Sequence, residues 1–324
     1  MAFQAAAVAK DTSLAAAGAA PRLELSAQTL GCRVPRTRRE GRVEAVFERA
    51  CNVALVGGGM ITLLAQYCAN NPHGVRLSCS PRLDRILPSE TPVWMSRDRI
   101  VFGDTLVVTI GQAPTWTPRL KAGMLDWQAG HGDNVLLLEC LLRKRVARTG
   151  SDFLAAALGV QPAATALAAR VAQVLTGLSH GVHAMDADAS LEAIARFVGL
   201  GPGLTPAGDD FIVGWLAGVA LAAHTRAQLD FLHNVCAGLG AMRGATTSFS
   251  WQHLDDARAL LFSERLSELG VAIVTLAPEP VLADRVDAQL AVGASSGADA
   301  AAGLIVALLA SRPELQALYQ SRLA

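Results

Sequence analysis

The run Phe211–Ala223, FIVGWLAGVALAA, limits what this chain can fold into more than any other stretch. It is apolar on every face, so as a helix it must be enclosed by other elements rather than laid on a surface. It falls short of the roughly 18–20 apolar residues that a membrane span needs, and so does Ala300–Ala310, the other long apolar run. Gly214 and Gly218 stand four residues apart on the first run, which lets a neighbouring helix come close. Directly before it lies GLGPGLTPAGDD, in which Thr205 reads as the N-cap and Pro206 as the first helical residue.

Lys plus Arg and Asp plus Glu balance at 28 each, so no net field favours nucleic acid or an anionic membrane. Charged residues make up 17% and hydrophobic ones 52%, which suits a large core and burial against other subunits. The six cysteines show no CxxC spacing, so neither a zinc site nor a disulfide framework is expected. The first 20 or so residues carry no signal-peptide pattern and read as a loose extension, and a cytoplasmic location fits best. Arg33–Arg42 holds five arginines that could touch an anion, but it reads as a solvated linker.

Residues 1–40 are therefore expected to be an N-terminal extension, 41–125 a β-rich domain, and 126–324 a helical domain. Val43–Phe47, Asn52–Val56, Val75–Cys79, Val93–Met95, Arg99–Phe102 and Thr105–Ile110 read as short strands, with a hairpin turn at Phe102–Thr105. Gly57–Gly59 reads as a tight turn, since it lacks the spacing of a dinucleotide or P-loop site. Helices are expected at Val135–Arg148, Ser151–Leu158, Ala163–Thr176, Leu191–Phe197, Phe211–His224, Gln228–Leu239, Ser248–Phe262 and Ala300–Leu309. The fold class is α+β: a small antiparallel sheet or barrel followed by a mainly helical domain.

Three helix starts share a polar pattern: GPGLTPAGDD (201–210), RGATTSFS (243–250) and GASSGAD (293–299). Gly203 to Asp209 and Gly293 to Asp299 span the same interval, with hydroxyls and a glycine between. Free helix-start amides and hydroxyls suit an anion, so the three are expected to converge on one pocket. Gly201, Gly203 and Gly208 would offer amides, while Thr205, Thr246, Thr247, Ser295, Ser296 and Asp299 would line the floor. Arg243 would be the guanidinium clamp. Each piece also has a plain structural reading: Ser296 to Asp299 has capping-box spacing, either threonine suits an N-cap, and Asp209 complements the helix dipole. Asp210 needs a partner, because a second carboxylate entering an apolar helix is costly to bury alone. His180 and His183 are spaced HxxH but read as lying in a Gly-rich loop, so no metal site is expected there; His253 is weighed as a pocket residue.

Taken in order, GLGPGLTPAGDDF, RGATTSFS and GASSGADAAAGL resemble the AllH-like subunit family of oxamate carbamoyltransferase, over roughly Gly41 to Leu309. The resemblance implies a carbamoyltransferase of allantoin (ureide) breakdown that works as part of a multi-subunit complex. That complex interconverts oxalurate plus phosphate with oxamate plus carbamoyl phosphate. The implied partners are an acyl-CoA-synthetase-like subunit and a second uncharacterised subunit. Asp209, Asp210 and Arg243 would be the catalytic residues. No cofactor is implied, and a magnesium requirement stays open. A non-catalytic structural or regulatory subunit, or a carbamoyltransferase for another ureido acid, are the alternatives.

Overall fold

The computed structural model describes residues 22–127, 130–160, 166–312, 314–315 and 317. The expected extension over residues 1–20 lies outside them, as does the start of the expected helix Ala163–Thr176.

The strands are β1 (Leu23–Gly31), β2 (Arg39–Val46), β3 (Ala50–Leu55), β4 (Met60–Leu64), β5 (Gly74–Leu77), β6 (Pro92–Met95), β7 (Arg99–Phe102), β8 (Leu106–Thr109) and β9 (Thr115–Trp116), with a short helix α1 (Leu83–Ile86) after β5. Their order is β5-β4-β3-β2-β6-β7-β8-β1-β9, and β1 also pairs with β5, which closes the first eight into a barrel. Alternation decides which side chains face inward. Val93 and Met95 on β6, Ile100 and Phe102 on β7, and Leu106 and Val108 on β8 are buried, while Trp94 and Thr109 between or beside them are exposed. The interior is filled by these residues together with Val43, Val53, Ile61, Leu63, Val75 and Leu77. Gly57–Gly59 is the expected turn, with all three residues at positive φ between β3 and β4.

Two expectations change here. Strand β1 falls inside the stretch read as an extension to residue 40, yet it closes the barrel: Leu23–Ser26 pair with β8, and Ala27–Leu30 pair with β5 across a bulge. Its alternation is shallow, with only Leu30 and Gly31 buried, so it carried little signal. The sheet is also mixed rather than antiparallel, because β1–β8, β1–β9 and β4–β5 run parallel.

The helices are α2 (His131–Arg143), α3 (Asp152–Ala157), α4 (Ala166–Ala184), α5 (Ala187–Ala195), α6 (Ala207–Ala222), α7 (Arg226–Leu239), α8 (Ser248–Arg258), α9 (Glu264–Val274), α10 (Glu279–Leu290) and α11 (Ser296–Ala310). Neither α9 nor α10 was expected, although Leu266, Leu269 and Ile273 on α9 recur at helical spacing. Leu120 and Leu125 already pack in the helical core, so that core reaches back before residue 126. His180 and His183 lie on α4, not in a loop, because the alanine and leucine pattern continues past the expected helix end at Thr176. Among the described residues no helix is long and apolar enough to cross a membrane.

Helix α6 is the enclosed centre that its composition demands, and its neighbour is α11, buried from Gly297 to Ala310. The contact is backbone to backbone. A Cβ on Gly214 would lie 1.8 Å from the Ala300 carbonyl oxygen, and one on Gly303 would lie 1.9 Å from that of Phe211. Gly214→Ala is therefore expected to force the two central helices apart, at a cost of about 1–3 kcal/mol. A urea unfolding curve should show a lower midpoint with an unchanged slope.

Candidate functional site

The loop before α6 is held by Asp209. Its buried carboxylate accepts from the Gly199 amide at 2.8 Å, from the Ser250 hydroxyl at 2.7 Å, and from the Thr246 hydroxyl. One side chain thus ties the first helix start to the second. Gly199 meets the same strand of chain so closely that a Cβ there would be 2.3 Å from the Ala245 carbonyl oxygen. Thr247 caps α8 by accepting from the Ser250 amide and donates to the Leu204 carbonyl at 2.6 Å. The third start joins through Thr205 and Ser296, whose hydroxyls lie 3.1 Å apart.

The convergence frames a cavity of about 240 Å³ lined by Thr205 and Asp210 from the first start, Phe249, His253 and Asp256 from α8, and Gly293 and Ser296 from the third. Gln289 on α10 and Val213, Leu266 and Ala300 complete its inner wall. The fourth side comes from the barrel, whose β4–β5 loop contributes Asn71 and Pro72. That loop is well anchored. The Glu264 carboxylate accepts from the Asn70 amide, the Asn70 side chain and Arg76, and His73 Nε2 lies 3.1 Å from Asp256 Oδ1. Gln252 adds a two-point pairing, accepting from the Met60 amide at 2.7 Å and donating to its carbonyl at 3.1 Å.

Two groups in this cavity have displaced acidities. Burial pushes the Asp210 carboxyl up to about 7; Asp299 and Asp209 add to the rise, while the Ser296 and Thr205 hydroxyls oppose it. Burial pulls the His253 imidazole down, with Asp256 opposing and His73 reinforcing. His253 stands edge-on to Phe249, with ring centroids 4.9 Å apart.

Several expected roles move. Pro206, not Thr205, is the N-cap of α6, and its carbonyl accepts from the Asp209 and Asp210 amides. The Gly208 amide donates to Leu200, so this helix start has few free amides for an anion. Proline at the cap frees the Thr205 hydroxyl for Ser296. Gly201 and Gly203 sit on an exposed loop and do not line the cavity. Thr246 is spent on Asp209, and Thr247 faces a smaller cleft against Asn52 and Met60. Ser295, not Ser296, precedes α11, and no side-chain cap forms there. The capping box fails because Asp299 turns to Ser151, at 2.5 Å, tying α11 to α3. Burial raises Asp299 to about 6, against the Ser151 and Ser295 hydroxyls.

Arg243 is exposed on the 3-10 turn Gly240–Ala245 and does not line the cavity, which corrects its expected place as the clamp. Arg243→Lys is expected to leave the affinity of the chain for small ligands within about twofold, as for other exposed substitutions. Calorimetric titration of the variant checks this.

Asp256, Gln289 and the barrel residues Asn71 and Pro72 went unnoticed in the sequence. Phe249, His253 and Asp256 recur at i, i+4 and i+7, so one helical face already grouped them. The loop from the barrel carries no comparable mark.

A closed barrel docked by polar contacts onto a two-helix core, with an acid-lined cavity at the seam, defines a class of chain in which both parts build one small-molecule-sized site. Two family models match it: that of oxamate carbamoyltransferase subunit AllH over residues 197–308, and that of the AllH family N-terminal domain over residues 22–115. The chain belongs to the AllH-like family. No curated protein and no solved structure matches it.

Proposed function

We propose that this chain is a subunit of an oxamate carbamoyltransferase complex, and that the seam cavity holds the nitrogen end of its small acid substrate. The family membership supports the reaction class. The observation that carries the site is Asp210, a half-buried carboxyl raised to about 7 on the wall of a cavity of about 240 Å³. A group poised near neutrality can both give and take a proton during turnover.

In the direction that makes carbamoyl phosphate, a phosphate oxygen attacks the ureido carbonyl carbon of oxalurate. The C–N bond to the oxamate nitrogen breaks, that nitrogen takes the proton held by Asp210, and the proton lost by hydrogen phosphate as it becomes carbamoyl phosphate restores the Asp210 acid. In the reverse direction the Asp210 carboxylate accepts the proton as the oxamate nitrogen attacks carbamoyl phosphate. Asp209 acts on position rather than on protons, since its carboxylate is already committed to three donors. The acyl-CoA-synthetase-like subunit and a second subunit are the proposed partners, and allantoin breakdown in the cytoplasm is the proposed setting.

The test is co-expression with those two partner chains, purification of the assembly, and assay of carbamoyl phosphate formed from oxalurate and phosphate. Activity that depends on all three chains supports the reading. An intact assembly without that activity removes it, and leaves the chain a structural or regulatory subunit or one that serves another ureido acid.

A further inference from the structure

We propose that the seam cavity recognises an uncharged, N–H-rich group, a carboxamide or ureido end, through acceptor oxygens on Gln289, Asp256 and Asp210, and that phosphate is bound outside it. This rests on the cavity being the ligand site, as proposed above, and adds which end of the ligand enters and which residues read it.

The buried side-chain atoms without a hydrogen-bond partner include Asp210 Oδ2, Asp256 Oδ2 and Gln289 Oε1. All three residues line this one cavity; Gln289 Oε1 and Asp256 Oδ2 are acceptors, and Asp210 Oδ2 is one when its carboxyl has given up its proton. Asp256 and Gln289 are only 3% and 2% exposed. Their orientations are determined by bonds on the far side. Gln289 Nε2 donates to the Gly297 carbonyl at 2.9 Å, which leaves Oε1 as the free end of the amide. Asp256 Oδ1 takes His73, which leaves Oδ2.

A buried acceptor left unpaired costs stability, so acceptors gathered around a void call for a ligand that brings donors. The residues lining the cavity include no lysine or arginine, and two of them are aspartates. Arg33 Nε lies 3.9 Å from Asp256 Oδ1 but is not among the lining residues, so a phosphate inside the cavity would face the carboxylates, whereas an amide or ureido NH₂ would meet acceptors. The three residues are spread over three helices, α6, α8 and α10. An extended planar group with several N–H bonds matches that spread.

The experiment titrates the full-length chain with oxamate, oxalate and inorganic phosphate in a calorimeter. Oxamate and oxalate have nearly the same shape and differ by an NH₂ in place of a carboxylate oxygen. Oxamate is expected to bind at least tenfold more tightly than oxalate, and phosphate not to compete with it. Equal or tighter binding of oxalate, competition by phosphate, or no binding of oxamate overturns the proposal, and this comparison needs no variant. Asp256→Asn keeps an oxygen for His73 but turns a donor into the cavity, so the preference for oxamate should shrink about tenfold with the thermal midpoint near wild type. A folded variant that retains the wild-type preference removes Asp256 from the assignment. A wild-type preference for oxamate beside an inactive assembly would overturn the carbamoyltransferase reading alone, and an active assembly without the preference would overturn this one alone.

Discussion

Asp209→Ala is expected to lower the unfolding free energy of this chain by on the order of 2–5 kcal/mol, since it strands one buried donor, at about 1–3 kcal/mol, and two half-buried ones that water can partly satisfy. Those donors are the Gly199 amide and the Thr246 and Ser250 hydroxyls, brought in from two separate helix starts. Asp209 is 1% exposed, so water does not readily take its place. Asp209→Asn keeps one oxygen acceptor and should lose less. Urea unfolding of the two variants beside the wild type gives the order, and a loss under about 1 kcal/mol for the alanine variant would mean that the two helix starts are held together by something else.

Asp210→Asn is expected to pull activity and stability in opposite directions. Removal of a general acid–base group costs about 10²- to 10⁴-fold in turnover, to be read in the assembled complex. Stability follows from the raised carboxyl. The unfolded chain loses this proton near the ordinary value of 3.8, while the folded chain keeps it to about 7. Between those values the folded state binds the extra proton, so its stability falls as pH rises through the window and levels off above it. Asparagine carries no such proton, so the variant should have a higher thermal midpoint than the wild type at pH 8 and a smaller advantage, or none, at pH 4. Asp299, raised to about 6, contributes a slope of the same sign that remains in the variant. A variant with wild-type turnover would remove Asp210 from the chemistry, and one less stable at pH 8 would show that its charge is paired in the folded chain.

The sequence by itself was enough for the enclosed helix α6, because a helix apolar on every face has no stable place at a surface, and its two glycines could only mean a close neighbour. It also sufficed for the strands β2, β3 and β5 to β8, where β-branched residues alternate between turn residues, and for the grouping of three polar helix starts around one place; β4 was missed. Those are local patterns, and each is set by residues a few positions apart. Tertiary structure alone decided the rest. It drew β1 out of an apparent tail, because pairing with both β5 and β8 outweighs a weak pattern of its own. It divided two adjacent aspartates that look alike in sequence: one turn of geometry gives Asp209 three donors and leaves Asp210 with an unpartnered oxygen in a cavity. It left Arg243 at the surface and brought in Gln289, Asp256, Asn71 and Pro72, from α10, α8 and a barrel loop, to wall the site. A side chain's charge and reach are written in its residue type, but whether a donor, a neighbouring charge or a void meets it depends on segments that are distant in the chain and adjacent only after folding.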